Sequence, residues 1–348
     1  MSKSNEQSFL ESLGGEAGCM RLAKEFYARV AKSELLRPLF PGKSLRCATE
    51  EFAAFLVQFL EGDEGHTQYR WWLSLRESHA RFQISEPQRI EWLRLMSEAI
   101  GSAVAAEAVQ GALRQFFGAT SVYVVGQGEA PEVADEELGR RWANQRALDL
   151  LVEHLLAGRD AEAIAMADHF MARPSVMVGI LGRMMEIGRE SLVAFAVSCL
   201  DIEPSLASAR SNGRTLIHLA AGASCPPVIQ RLLQHGVDPD LLDSGGYTPL
   251  FRAASSSWDA IGAEVVRELA AAGATVNHGG GVSKSTPLHQ AARFGNVKIA
   301  EALLLAGASP SATDNKGHTP LDRARNCRRK DVAALLESRT ALRAEVPE

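Results

Sequence analysis

The sequence predicts an all-α protein in two unlike parts: a helical domain with an aromatic interior, followed by an α-solenoid of stacked helix pairs. Three observations carry that expectation. A Thr-x-Leu/Ile tetrad recurs at Thr215, Thr248, Thr286 and Thr319, with proline second in the last three copies, at spacings of 33, 38 and 33 residues. A fixed period of this size marks a repeat architecture. Upstream, apolar residues fall at helical spacing, as in Leu22, Phe26 and Val30, in Phe52, Phe55, Leu56 and Phe59, and in Trp92, Met96 and Ile100. The chain has 348 residues, 46% apolar and 23% charged, which suits two or three globular domains and excludes disordered or fibrous classes.

The first 128 residues hold no repeat. Their aromatics gather early, at Phe26, Tyr27, Phe40, Phe52, Phe55, Phe59 and Tyr69, and breakers separate the helical runs at Gly14-Gly15, Pro38, Pro41-Gly42, Gly62, Gly65 and Pro87. Residues 129–173 read as a linker and a helical segment: Gly128 and Pro131 mark a connection over 127–134, then Leu148, Leu151, Val152 and Leu155 fall at helical spacing. The solenoid is placed at 174–340, with a degenerate first repeat over about 174–205, and 341–348 form a tail.

Within each repeat the threonine suits a helix N-cap and the proline the first helical position. Alanine pairs follow (Ala220-Ala221, Ala253-Ala254, Ala291-Ala292), small enough for two helices to approach closely. A second apolar helix ends at Gly236, Gly273 or Gly307, where glycine accepts the left-handed conformation. Gly213, Gly246 and Gly317 stand two residues before their threonines and suit a tight turn. The unit of 38 residues is expected to carry its extra residues around Ser255–Gly262, between its two helices, and the approach to Thr286 lacks the glycine. This pattern resembles the ankyrin repeat. The resemblance implies a protein partner held by the concave face and hairpin tips, with Asp243, Ser244, His278, Asp314, Asn315 and Lys316 as tip candidates. His218 and His289 are expected to hydrogen-bond at the helix start rather than bind metal.

The string LGG…EFYARV…LLRPLFPG…EEFAAFL…LRESHARFQIS…RIEWLRLM, over roughly residues 9–120, resembles the second group of truncated haemoglobins. That resemblance implies a two-over-two helical fold and a haem cofactor. It makes His79 the proximal iron ligand, Tyr27 and Trp92 distal hydrogen-bond donors, and Phe40, Ala48, Phe52, Phe55 and Phe82 the walls that seat the macrocycle. An imidazole nitrogen is an apt haem ligand, and a distal O–H or N–H stabilises a diatomic gas that draws negative charge on binding. The sequence departs from the family at Gly62-Asp63-Glu64-Gly65, Tyr69 and Trp71-Trp72, so a rebuilt approach to the proximal helix is expected. The implied function is a haem globin that binds oxygen or another diatomic gas, coupled to an ankyrin interaction module, as a sensor or a targeted gas binder. The alternative is a haem-free ankyrin scaffold with a structural globin-like domain. Slow peroxide or nitric oxide chemistry is the extent of any enzymatic expectation.

Charge and cysteine usage bound the remaining classes. The 37 basic and 42 acidic residues give a net charge of −5, which leaves no broad footprint for nucleic acid or anionic lipid. The basic cluster Arg323, Arg325, Arg328, Arg329 and Lys330 reads as a solvated helix face. Five scattered cysteines with no C-x-x-C pair speak against a disulfide framework or a zinc site, and fit a reducing cytoplasm. No apolar stretch is long enough for a membrane span.

Overall fold

A computed structural model describes residues 8–42, 44–61, 74–79, 82–125, 133–256 and 259–344. The expectations at Gly62, Gly65, Tyr69 and Trp71-Trp72, and residues 127–132 of the expected linker, lie outside them. The described chain is all-α apart from two paired two-residue strands, Arg210–Ser211 and Arg214–Thr215. It divides into two compact units, Met1–Met166 and Ala167–Glu348.

The first unit begins with α1 (Phe9–Leu13) and α2 (Gly15–Val30), joined at Gly14, whose φ of 96° closes the first helix in the left-handed region. A side chain at Gly18 would run into the Leu13 carbonyl oxygen at 1.9 Å, so this corner demands glycine. A 3₁₀ turn, Arg37–Leu39, leads to α3 (Arg46–Glu61). The short α4 (Leu75–His79), α5 (Glu86–Ala103) and α6 (Glu107–Val124) follow. Helix α2 packs on both α3 and α5, and α5 packs on α6, which gives two layered helix pairs. The core they enclose contains Leu22, Phe26, Val30, Leu56, Leu60, Met96, Ile100 and Leu113, each at most 2% exposed.

The first unit extends beyond the expected boundary at 128. Helix α7 (Glu136–Leu156) packs on α3 and α4. Its Trp142 is 4% exposed and meets Phe116 and Tyr123 edge to face, with ring centroids 5.9 and 5.3 Å away. Arg141 Nη1 donates to the Phe59 carbonyl at 3.2 Å. Helix α8 (Asp160–Ala167) follows.

The second unit stacks helix pairs. Helices α9 (Pro174–Ile187) and α10 (Glu190–Ile202) turn at Gly188, with φ of 73°. They lie against α11 (Leu216–Gly222) and α12 (Pro226–Gln234). The pairs α13 (Pro249–Ala253) with α14 (Asp259–Ala271), α15 (Pro287–Phe294) with α16 (Val297–Leu305), and α17 (Pro320–Asn326) with α18 (Lys330–Ala344) continue the stack. Thr248, Thr286 and Thr319 cap their helices, each hydroxyl accepting from the backbone N–H three residues on, with proline in the first turn. Thr215 has no such cap bond; its hydroxyl meets His218 instead.

Two irregularities of the repeat resolve here. In the 38-residue unit the buried positions Val265, Val266 and Leu269 stand four residues further from their threonine than Val228, Ile229 and Leu232 do from theirs. The surplus forms an extra turn at the front of α14, where a loop between helices had been expected. Gly262 in that turn passes so close to α16 that a Cβ would meet Ile299 Cδ1 at 2.7 Å. At the approach to Thr286, Lys284 adopts φ of 51° in the slot that Gly213, Gly246 and Gly317 fill elsewhere with φ of 71°, 74° and 76°.

Candidate functional site

The residues expected to line a cofactor pocket come from five stretches of the first unit. Tyr27 is on α2, Phe40 just past the 3₁₀ turn, Ala48, Phe52 and Phe55 on α3, His79 at the end of α4 with Phe82 three residues on, and Trp92 on α5. Packing brings most of them together. Tyr27 lies edge to face with Phe40 at 5.6 Å and with Phe52 at 6.3 Å, and Phe52 stacks on Phe55 at 6.3 Å. Phe82 bridges to Phe40 at 6.1 Å and to the His79 ring at 6.4 Å. Trp92 joins through Phe26 at 5.3 Å and Phe117 at 5.5 Å. Ala48 is half-buried one turn before Phe52.

Burial separates these side chains from the core behind them. Phe26 is 2% exposed and Leu22 fully buried, yet Tyr27, Phe40, Phe52, Phe55, His79, Phe82 and Trp92 are all half-buried. Apolar aromatics seldom stay part-exposed as a contiguous group. Tyr27 shows the same environment electrostatically. Burial, aided by the Glu51 carboxylate, pushes its hydroxyl above the ordinary phenol range, so it carries its proton at neutral pH and is a donor.

His79 is held by its own helix. Its Nδ1 lies 2.8 Å from the Leu75 carbonyl oxygen and 3.0 Å from Ser78 Oγ. A carbonyl only accepts, so the neutral ring carries its proton on Nδ1 and Nε2 is the nitrogen with a lone pair. Among the described residues no three His, Cys, Asp or Glu side chains converge as a metal cluster.

Sequence reasoning missed the support behind α4. Asp149 Oδ1, on α7, accepts from the Leu75 N–H at 2.7 Å and from Gln145 Nε2 at 3.2 Å. Burial raises the Asp149 carboxyl, against the lowering effect of the Leu75 N–H. Burial and the Asp149 charge together push the Tyr123 hydroxyl up to about 12, and the Arg76 guanidinium lies 4.0 Å over the Tyr123 ring. A signal was present: Trp142, Gln145, Asp149 and Val152 share one helical face, so two polar residues sit on a core stripe.

In the second unit the expected tip residues divide. Asp243 and Asp314 are each 5% exposed and turned inward. Asp243 Oδ1 accepts from the Gly245 and Tyr247 N–H groups, and its Oδ2 from Arg252 Nε at 2.8 Å. Asp314 repeats this with Lys316, His318 and Arg323. Burial pushes the Asp314 carboxyl up, but the two backbone N–H groups and Arg323 outweigh it and hold the group at about 2. The Asp-to-Arg spacing of nine residues in both repeats was the overlooked signal. It moves Arg323 out of the solvated basic face and into the turn. Ser244, Asn315 and Lys316 are exposed and His278 half-buried. Asn315 also staples its tip to the preceding one, through Nδ2 to the Val282 carbonyl at 2.8 Å.

His218 and His289 occupy matching helix starts. Each Nδ1 meets its threonine hydroxyl at 2.8 Å, and each Nε2 meets the backbone carbonyl of the next tip, Tyr247 at 3.1 Å and His318 at 2.9 Å. Burial lowers both, His218 from the usual 6.5 to about 4. All five cysteines are free thiols, and among the described residues no helix is long and apolar enough to cross a membrane.

Comparison with known proteins agrees with this division. Residues 8–124 match the family described as bacterial-like globin. Residues 185–279 and 260–345 match the family described as ankyrin repeats in three copies. Among curated proteins, the chain is 38% identical over 120 residues to a putative palmitoyltransferase of Danio rerio, covering 34% of this chain and 18% of that protein. It is 38% identical over 102 residues to a palmitoyltransferase of Kluyveromyces lactis, covering 28% and 14%, and 30% identical over 154 residues to Rabankyrin-5 of Homo sapiens, covering 40% and 13%. The chain thus spans less than a fifth of each of these relatives. Residues 8–124 are a bacterial-like globin domain and residues 185–345 are ankyrin repeats, in that order along one chain.

Proposed function

We propose that the first unit binds haem through His79 and takes up a diatomic gas, and that the ankyrin repeats dock this gas-binding unit on a protein partner. The observation that carries the reading is the contiguous set of half-buried aromatics Tyr27, Phe40, Phe52, Phe55 and Phe82, with the His79 ring at its edge and its proton held on Nδ1 by Leu75. A planar apolar macrocycle would cover the exposed half of those rings, and the lone pair of Nε2 is the donor its iron needs. The residues present therefore fit the group. Haem, when bound, supplies an iron with one position for an exogenous diatomic ligand.

The protein's own residues have three tasks. Leu75 and Ser78 hold the His79 ring in one tautomer. Phe40, Ala48, Phe52, Phe55 and Phe82 exclude water from the cofactor faces. Tyr27 keeps its proton and, with Trp92, offers a donor at the end of an apolar body. The repeat unit supplies the docking surface through its concave face and through Ser244, His278, Asn315 and Lys316 at the tips. Gas sensing follows if the partner binds the ligand-bound and ligand-free forms with different affinity. We place the protein in a reducing cytoplasm, in keeping with its five free thiols.

Titrating the purified full-length chain with haemin tests the cofactor reading. Saturation at one equivalent with a sharp Soret band supports it. A chain that takes up no haemin leaves only the ankyrin unit at work.

A further inference from the structure

The globin family accounts for residues 8–124, but the turn that carries His79 is anchored from outside that segment. Helix α4 has five residues, and its first backbone N–H, at Leu75, points to Asp149 Oδ1 on α7 at 2.7 Å. The carbonyl of the same Leu75 is the acceptor for His79 Nδ1 at 2.8 Å. The Leu75 side chain is buried, 7% exposed. One residue is therefore fixed at its N–H by α7, at its side chain by the core and at its carbonyl by the imidazole. Asp149 is itself rigidly placed: it is 3% exposed, Gln145 donates to it, and its helix is latched by Trp142 against Phe116 and Tyr123 and by Arg141 to the Phe59 carbonyl.

We propose that Asp149 is a positioning residue for His79: through Leu75 it sets the orientation in which the imidazole meets its ligand, so the working haem unit reaches to α7. This rests on the haem reading above. Partners one step removed from a metal ligand fix its ring orientation, and losing them costs about 10–100-fold in affinity. A carboxylate bonded to Leu75 N–H, one helical turn before the ligand, is such a partner acting through the backbone.

The test uses the full-length chain with Asp149→Ala and Asp149→Asn, the second keeping an acceptor of the same shape. Two readouts are compared with wild type: the iron–imidazole stretching band of the ferrous, ligand-free protein, and amide hydrogen exchange of 75–79 in the haem-free protein. Asp149→Ala is expected to shift or broaden the band, to speed haem loss about tenfold, and to speed exchange at Leu75 first. Asp149→Asn is expected to restore most of each. A coloured chain whose band and exchange are the same in Asp149→Ala as in wild type overturns the positioning role alone. So does faster exchange with an unmoved band. A colourless wild-type chain overturns the haem reading and the positioning role with it.

Discussion

The two units place their important residues by opposite means. In the ankyrin unit the critical bonds span no more than about one repeat and recur in two or more of the repeats. A threonine caps three residues ahead, and an aspartate clamps an arginine nine residues on. A histidine reaches the next tip 29 residues away in two of the repeats, those of Thr215 and Thr286. In the globin unit the candidate site is assembled once, from five stretches, and the turn that carries His79 is held by a carboxylate 74 residues further along the chain. Copied local bonds make a stack robust and modular. A site built once concentrates its function in single side chains.

Substitutions should therefore act differently in the two units, and four of them sharpen the contrast. The largest stability loss is expected at a turn clamp. Asp314→Ala leaves Arg323 and two tip N–H groups without their shared acceptor, at a cost of about 2–4 kcal/mol. Chemical denaturation should register this in the repeat unit while the absorption of the globin unit is unchanged. A cost below about 0.5 kcal/mol would show that the clamp is ornamental.

Next is Tyr27→Phe, which removes the hydroxyl proposed as the gas-facing donor and leaves the ring. Oxygen release measured by stopped flow should quicken about 10–150-fold, the worth of a hydrogen bond to a ligand that gains charge, with the fold unchanged. An unaltered rate would move the distal donor elsewhere.

The third concerns pH. His218 is held near 4 in the folded state against 6.5 unfolded. The unfolded chain thus binds the extra proton between those values, and stability falls as pH drops from about 6.5 towards 4. The Asp314 carboxyl stays ionised through that window, because it is held at about 2. Thermal melts should show a repeat-unit loss of about 1–3 kcal/mol over the window. His218→Gln should make the slope shallower, His289 supplying what remains, and an equal slope in that variant would exclude His218 as the cause.

The smallest effect is a gain. Lys284 occupies the left-handed slot that glycine fills in three other repeats. Lys284→Gly relieves a strain of about 1 kcal/mol, part of which the unfolded chain takes back as entropy. A small rise in the melting temperature is expected, and a fall would mean that the lysine contacts something the turn needs.

The same contrast explains what could be read from the sequence. Helix starts, alanine pairs and terminating glycines of the repeats were legible because each is a local rule stated several times. Lys284 was legible only as a missing glycine, since nothing in a single residue reveals its φ. The extra turn of α14 was misplaced into a loop because counting residues locates an insertion without saying whether it is helical. In the globin unit the order Tyr27, Phe40, Phe52, His79 and Trp92 identified the fold. Asp149 stayed hidden, because its bond to Leu75 joins residues that no local pattern connects. The inward turn of Asp243 and Asp314 was missed for a related reason: aspartate at a tip is exposed on average, and only the matching arginines show that it is buried.

The measurement that bears most directly on the central claim is the visible spectrum of the purified full-length protein, reduced and exposed to carbon monoxide, beside His79→Ala. The wild type is expected to show an intense, sharp Soret band that moves on carbon monoxide binding and is lost or strongly weakened in the variant. An unchanged band in His79→Ala, with the same response to carbon monoxide, would contradict it.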